Sequence, residues 1–127
     1  MATLIGTGTT GGVAATNVVY NGATAAGTKG DTAVSKVVVI ADADKAASDW
    51  SNVVSKISGA LTIAADTTAA NAATVVLINN GTDTRVYLFS DDATSNTTAE
   101  ATELTLMGTL SGIATNVGIV EGNFGLS

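Results

Sequence analysis

The sequence predicts a mainly β fold: one domain, a β-sandwich or sheet, with a single amphipathic helix packed on it and strand-like terminal arms. Three observations lead there. Short β-branched runs recur along the chain, several of them bounded by Gly or Asn-Gly turn signals. One stretch alone carries the apolar period of a helix. Threonine is abundant, as half-exposed sheets favour.

Taken in order, residues 1–33 form a Gly/Thr/Ala-rich arm, and residues 34–127 form the body. Within the arm, Ala2-Thr3-Leu4-Ile5 and Ala15 to Tyr20 have β-type content, and Asn21-Gly22 reads as a turn. The arm is therefore a candidate exchanged strand as well as a candidate linker. Ser35-Lys36-Val37-Val38-Val39-Ile40 is a strand, and its unbroken β-branched run implies burial on both faces. A helix is expected over about residues 48–60, where Trp50, Val53, Val54, Ile57 and Leu61 repeat at helical spacing. Ser48 suits its N-cap, Asp49 the positive end of its dipole, and Gly59 its end. Trp50 is expected as a core anchor on that face rather than as a stacking platform for a ligand.

Thr74 to Ile78 and Arg85 to Phe89 flank Asn79-Asn80-Gly81-Thr82-Asp83-Thr84, which predicts a β-hairpin with positive φ angles supplied by Asn80-Gly81. Glu103 to Leu110 follows as a strand in which Leu104 and Leu106 alternate with threonine. Gly118-Ile119-Val120 is a last short strand, before a tail closing on Phe124 and Leu126.

Composition narrows the function classes. The 127 residues suffice for one domain that buries about two-thirds of its unfolded surface. Apolar residues make up 46%, yet only one Trp, two Tyr and two Phe are among them, so the core is built from small side chains. No His is present, which removes the commonest general base and transition-metal ligand. Without Cys there is no thiol nucleophile, thiolate metal cluster or disulfide. A net charge of −6 argues against nucleic acid and against anionic membrane as partners. The longest apolar run, Val37 to Ala41, is far too short to span a bilayer, and the N-terminus lacks the basic and apolar regions of a signal peptide. A soluble, non-enzymatic protein is expected.

The candidate chemistry is confined to acids. Asp92 to Glu103 has the length of an EF-hand-type calcium loop, with Asp92 first, Asn96 fifth, Glu100 ninth and Glu103 twelfth. Thr94 stands where Asp or Asn is wanted, and Thr97 replaces the glycine of the sharp turn. The stretch is therefore expected as a polar turn, with Asp91, Asp92 and Glu103 as weak calcium candidates at about millimolar affinity. No other cofactor is expected. A second group, Asp42, Asp44 and Asp49, sits where strand leads to helix, and dipole and capping duties account for it.

From Ala70 to Ile113 the order of features is distinctive: an apolar strand, an N-G-T-D turn, V-Y-L-F, an acidic loop and E-L-T-L-M-G-T-L-S-G. It resembles the C-terminal domains of large type I-secreted bacterial surface proteins, RTX-like adhesins and calcium-dependent S-layer proteins, over about residues 36 to 126. That resemblance implies an extracellular or cell-surface location, export by an uncleaved C-terminal signal, and a structural or adhesive role. Of the family's D-x-D-G-D-G pattern, the glycines and half the acids are missing from the loop.

The functional expectation is a structural protein that self-assembles into a filament or surface lattice by strand exchange between subunits, its partner being itself. Two alternatives stand beside it. One is a monomeric calcium-responsive adhesin or secretion-signal domain, and the other a virion decoration or tail protein.

Overall fold

The computed structural model describes residues 20–24, 30–31, 37–63, 73–91 and 97–115. The expected strands at residues 2–5 and 118–120 lie outside them. The described residues form seven strands: β1 (Tyr20–Thr24), β2 (Gly30–Asp31), β3 (Val37–Ile40), β4 (Leu61–Thr62), β5 (Ala73–Asn79), β6 (Thr84–Ser90) and β7 (Leu104–Leu110). Among these residues one α-helix, α1 (Val53–Ala60), falls between β3 and β4. The fold is mainly β, as the sequence predicts. Of the two expected forms, the described residues show the sheet with a helix on it.

The main sheet has the order β1-β3-β5-β6-β7, and β2 pairs with β4 in a small parallel sheet. β1, β3 and β5 run parallel, whereas β5, β6 and β7 are antiparallel neighbours. The parallel half needs crossovers, and α1 lies in the one joining β3 to β5. β3 is thus interior to the parallel half, and its four residues are completely buried. This is the physical meaning of its unbroken Val-Val-Val-Ile run. Val38 and Ile40 join one cluster with Ile57, Ala60, Leu61, Val76, Ile78, Tyr87 and Phe89, on the helix side. Val37 and Val39 join Leu77 on the opposite side. Each large aliphatic or aromatic side chain so buried contributes about 1.5–3 kcal/mol.

Strands β1 and β2 lie inside the span expected as an arm, so the body's sheets begin by Tyr20. Asn21-Gly22, expected as a turn, falls within β1. Between Tyr20 and Ala23 the pairing with β3 slips, three steps on β1 against two on β3. The flexible dipeptide serves a bulge rather than a reversal.

The expected β5–β6 hairpin is present, with Ile78 opposite Arg85 and Asn79 opposite Thr84, closed by Asn80 to Asp83. Only Gly81 in this loop adopts positive φ (89°). Asn80 works instead through its side chain, Oδ1 accepting from Thr82 and Asp83 backbone N–H at 2.9 and 2.8 Å.

The helix differs more from expectation. It starts at Val53, not near residue 48, and Ser48 does not cap it. Hairpin contacts explain the delay. Asn80 Nδ2 donates to the Ser48 carbonyl at 2.9 Å, the Ala46 N–H donates to the Asn79 carbonyl at 2.8 Å, and Asn79 Nδ2 donates to Asp42 Oδ1 at 2.7 Å. These bonds hold residues 42–48 to the hairpin, outside any α-helix. Asn52, next to the helix, has its Oδ1 occupied by the Ala47 N–H at 2.7 Å. The apolar helical face is nonetheless real: Ile57 and Ala60 are buried, and Val53 packs beside them.

Candidate functional site

The acidic residues were the first candidates, and their local structure gives most of them other work. Asp91 directly follows β6, and Glu103 directly precedes β7. Phe89 pairs with Leu104, so both carboxylates belong to the same end of the sheet. Both are buried, Asp91 to 7% exposure and Glu103 to 3%. Glu103 closes the 3₁₀ turn Ala101–Glu103: its Oε2 accepts from the Glu100 N–H at 2.9 Å, while the Glu100 side chain accepts from the Glu103 N–H. This reciprocal capping satisfies two backbone donors that the turn leaves over. The glutamate in the twelfth loop position is therefore part of a turn that starts the edge strand. Asp92 lies outside the described residues. Among the described residues no three metal-ligating side chains come together.

The second acidic group also disperses. Asp42 and Asp44 belong to a 3₁₀ turn, Asp42 holding Asn79 as above. Asp49 Oδ1 accepts from the Ser51 N–H at 3.0 Å. That backbone bond, with help from the Ser51 hydroxyl, holds the Asp49 carboxyl below its ordinary value. No acid stands in the first turn of α1, so the dipole role expected of Asp49 passes to a turn ahead of the helix.

Trp50 lies outside the helix, half-buried, with a left-handed backbone at φ 65°. It packs against the helix-side core, as expected of an anchor, but from the loop. The Arg85 guanidinium stacks on its ring at 4.3 Å from the centroid. Arg85 Nη1 approaches the Tyr87 hydroxyl at 3.3 Å. Arg85 Nε is buried without a hydrogen-bond partner. Sequence reasoning overlooked this stack. Its available signal was strand parity, since Arg85 shares a face with Tyr87 and Phe89. The arrangement covers the end of the core with an aromatic and a cation, worth about 0.5–1 kcal/mol at a partly exposed site.

The remaining feature is β7. The order of the main sheet places it at one margin and β1 at the other. Among the described residues no strand pairs with its outer side. The alternation of Leu with Thr suggested half-burial, and Leu104 does pack against the core. Beyond it the burial fails: Leu106 is 46% exposed, Met107 61%, Leu110 40% and Ile113 43%. The register explains part of this. Tyr87 pairs with Leu106 but Val86 with Gly108, so Met107 is an extra residue in a bulge. The bulge shifts side-chain parity, so Leu106 and Leu110 project from different faces. Gly108 within a strand was the signal for it.

Leu104 to Leu110 contains neither a charge nor a proline. Exposed edges usually carry lysines, prolines or inward charges that deter pairing with another chain. Here a bulge alone serves that end, and Leu106, Met107 and Leu110 on the strand, with Ile113 just beyond it, stay exposed. After the strand, Gly112 turns at φ 75°. The Gly112 N–H donates to Asp83 Oδ1 and the Thr84 hydroxyl to the Ile113 carbonyl, both at 2.8 Å, fixing the end of the edge against the hairpin. Among the described residues the edge is thus a held, apolar ladder without a partner strand.

No protein-family model, curated protein or solved structure shows a significant match to this chain.

Proposed function

We propose that this chain is a non-enzymatic structural protein of the cell surface or extracellular space that assembles with copies of itself by strand exchange into a filament or lattice. The observation that supports it is the edge of β7, seven residues without charge or proline, with Leu106, Met107 and Leu110 open to solvent. Exposed apolar side chains on an unpaired ladder favour strand addition, in which backbone hydrogen bonds supply affinity and alternate side chains specificity. The absence of His and Cys leaves the chain without the usual nucleophile-and-base pairs, which favours a structural role over a catalytic one. The extracellular location rests on the resemblance to type I-secreted surface proteins alone.

Sedimentation velocity and electron microscopy of the purified chain test the reading, over a concentration series and with and without calcium. Concentration-dependent filaments or sheets are expected. A chain that stays monomeric at all concentrations, with calcium or without, refutes it. Assembly that requires calcium would transfer weight to the acidic loop.

A further inference from the structure

We infer that the outer edge of β7 is the acceptor for the N-terminal arm of a second copy, residues 1–19, so that subunits join head to tail. This inference rests on the self-assembly reading above and names the two surfaces that meet. Four observations carry it.

The first is topological. β1 and β7 occupy opposite margins of the main sheet, and residues 1–19 lead directly into β1. The strand to which the donor is joined and the acceptor therefore sit on opposite sides of one subunit. A contact between unlike surfaces is heterologous, and it propagates unless its rotation happens to close a ring.

Charge supplies the second. Every charged side chain of the protein falls between Lys29 and Glu121, so the first 28 residues have none. β7 has none either. In a chain of net charge −6, the arm and the edge are two segments that meet without like-charge repulsion. Two whole bodies brought face to face have no such exemption.

Third, the Met107 bulge selects between the candidate strands of a second copy. A bulge bends and twists its strand, which discourages pairing with another strand already fixed in a sheet. The partner's own β7 is bent in the same way and held by its own sheet. An exchanged strand donated from a chain terminus takes the twist of the edge that it joins.

Finally, the arm has the right order of parts. Ala2-Thr3-Leu4-Ile5 is the β-type segment, followed by Gly6-Thr7-Gly8-Thr9-Thr10-Gly11-Gly12, which has the Gly-rich composition of linkers. A seven-residue edge spans about 23 Å. A fully extended arm of 19 residues reaches about 60 Å, so insertion of its first residues leaves ample chain to cross between subunits. Leu4 and Ile5 then meet the apolar side chains around Leu106 and Leu110.

The test uses two full-length variants. Leu106→Lys with Leu110→Lys blocks the edge and keeps the arm. Leu4→Lys blocks the arm and keeps the edge. Each alone is expected to remain monomeric with an unchanged circular dichroism spectrum, and their mixture to form a one-to-one heterodimer and nothing larger. A mixture that stays monomeric while the wild type assembles overturns the arm-to-edge contact, although self-assembly itself survives. A Leu4→Lys variant that dimerises alone points to β7 pairing with β7 and overturns it too. A wild type that never assembles defeats the parent reading. Should an edge variant fail to fold, a synthetic peptide of residues 1–19 serves as competitor on the wild type: severalfold shorter assemblies at excess peptide are expected, and unchanged assemblies overturn the inference.

Discussion

Trp50 gives the sharpest test of the structure, because two substitutions there predict an order opposite to the usual one. Its ring is half-buried against the helix-side core and lies under the Arg85 guanidinium at 4.3 Å. Removing a fully buried aromatic costs about 3–5 kcal/mol. With part of the ring already in solvent, Trp50→Ala is expected to cost about 2–3 kcal/mol, including the cation–π contact of about 0.5–1 kcal/mol. Backbone conformation then separates Ala from Gly. At φ 65° a residue with a Cβ bears about 1–2 kcal/mol of strain that glycine does not. Glycine loses about 0.5–1 kcal/mol through its freer unfolded chain. The difference leaves Trp50→Gly more stable than Trp50→Ala by about 0.5–1 kcal/mol, whereas in a helix glycine is the worse by a similar amount. Urea unfolding is the assay, followed by far-UV circular dichroism, because Trp50 is the only tryptophan and its fluorescence goes with it. A glycine variant less stable than the alanine one would place Trp50 in the helix and refute the left-handed loop.

Two further predictions concern the polar side chains that hold the hairpin and the edge. Asn79→Ala removes the 2.7 Å bond to Asp42 Oδ1 and the 3.0 Å bond accepted from the Gly81 N–H, both from a side chain with 1% exposure. A loss of about 1–3 kcal/mol in urea unfolding is expected, and a neutral effect would mean these bonds do not hold residues 42–48 to the hairpin. Glu103→Ala should cost about 1 kcal/mol through the lost turn cap, with Glu103→Gln retaining most of it. In calorimetry neither the wild type nor Glu103→Gln should bind calcium more tightly than about millimolar. Micromolar affinity abolished by Glu103→Gln would make this carboxylate a ligand first and a cap second.

Much of the fold follows from local sequence. Val37 to Ile40 is β-branched throughout, and a strand covered on both sides is the environment that accepts such a run. The β5–β6 hairpin follows from two apolar runs around Asn80-Gly81, because few other residues allow the chain to reverse there. These features depend on backbone preferences and on alternation over a few residues, so no distant partner is needed to specify them.

Tertiary structure decided what depends on distant neighbours. Ser48, Asp49 and Trp50 have a plausible helix-start sequence, yet the hairpin's Asn79 and Asn80 hold residues 42–48 in another conformation. Hydrogen bonds to a preformed turn outweigh a few tenths of a kcal/mol of helix propensity per residue. Glu103 has the spacing of a calcium ligand, but the Glu100 N–H three residues earlier is its partner in the fold. The exposure of Leu106 and Leu110 was equally illegible. Alternating Leu and Thr describes a strand with one apolar face, and it is the bulge at Met107 that divides Leu106 and Leu110 between two faces and the strand order that leaves both at the margin of the sheet. Sequence period reports which side chains share a face, whereas burial depends on what the rest of the chain places over it.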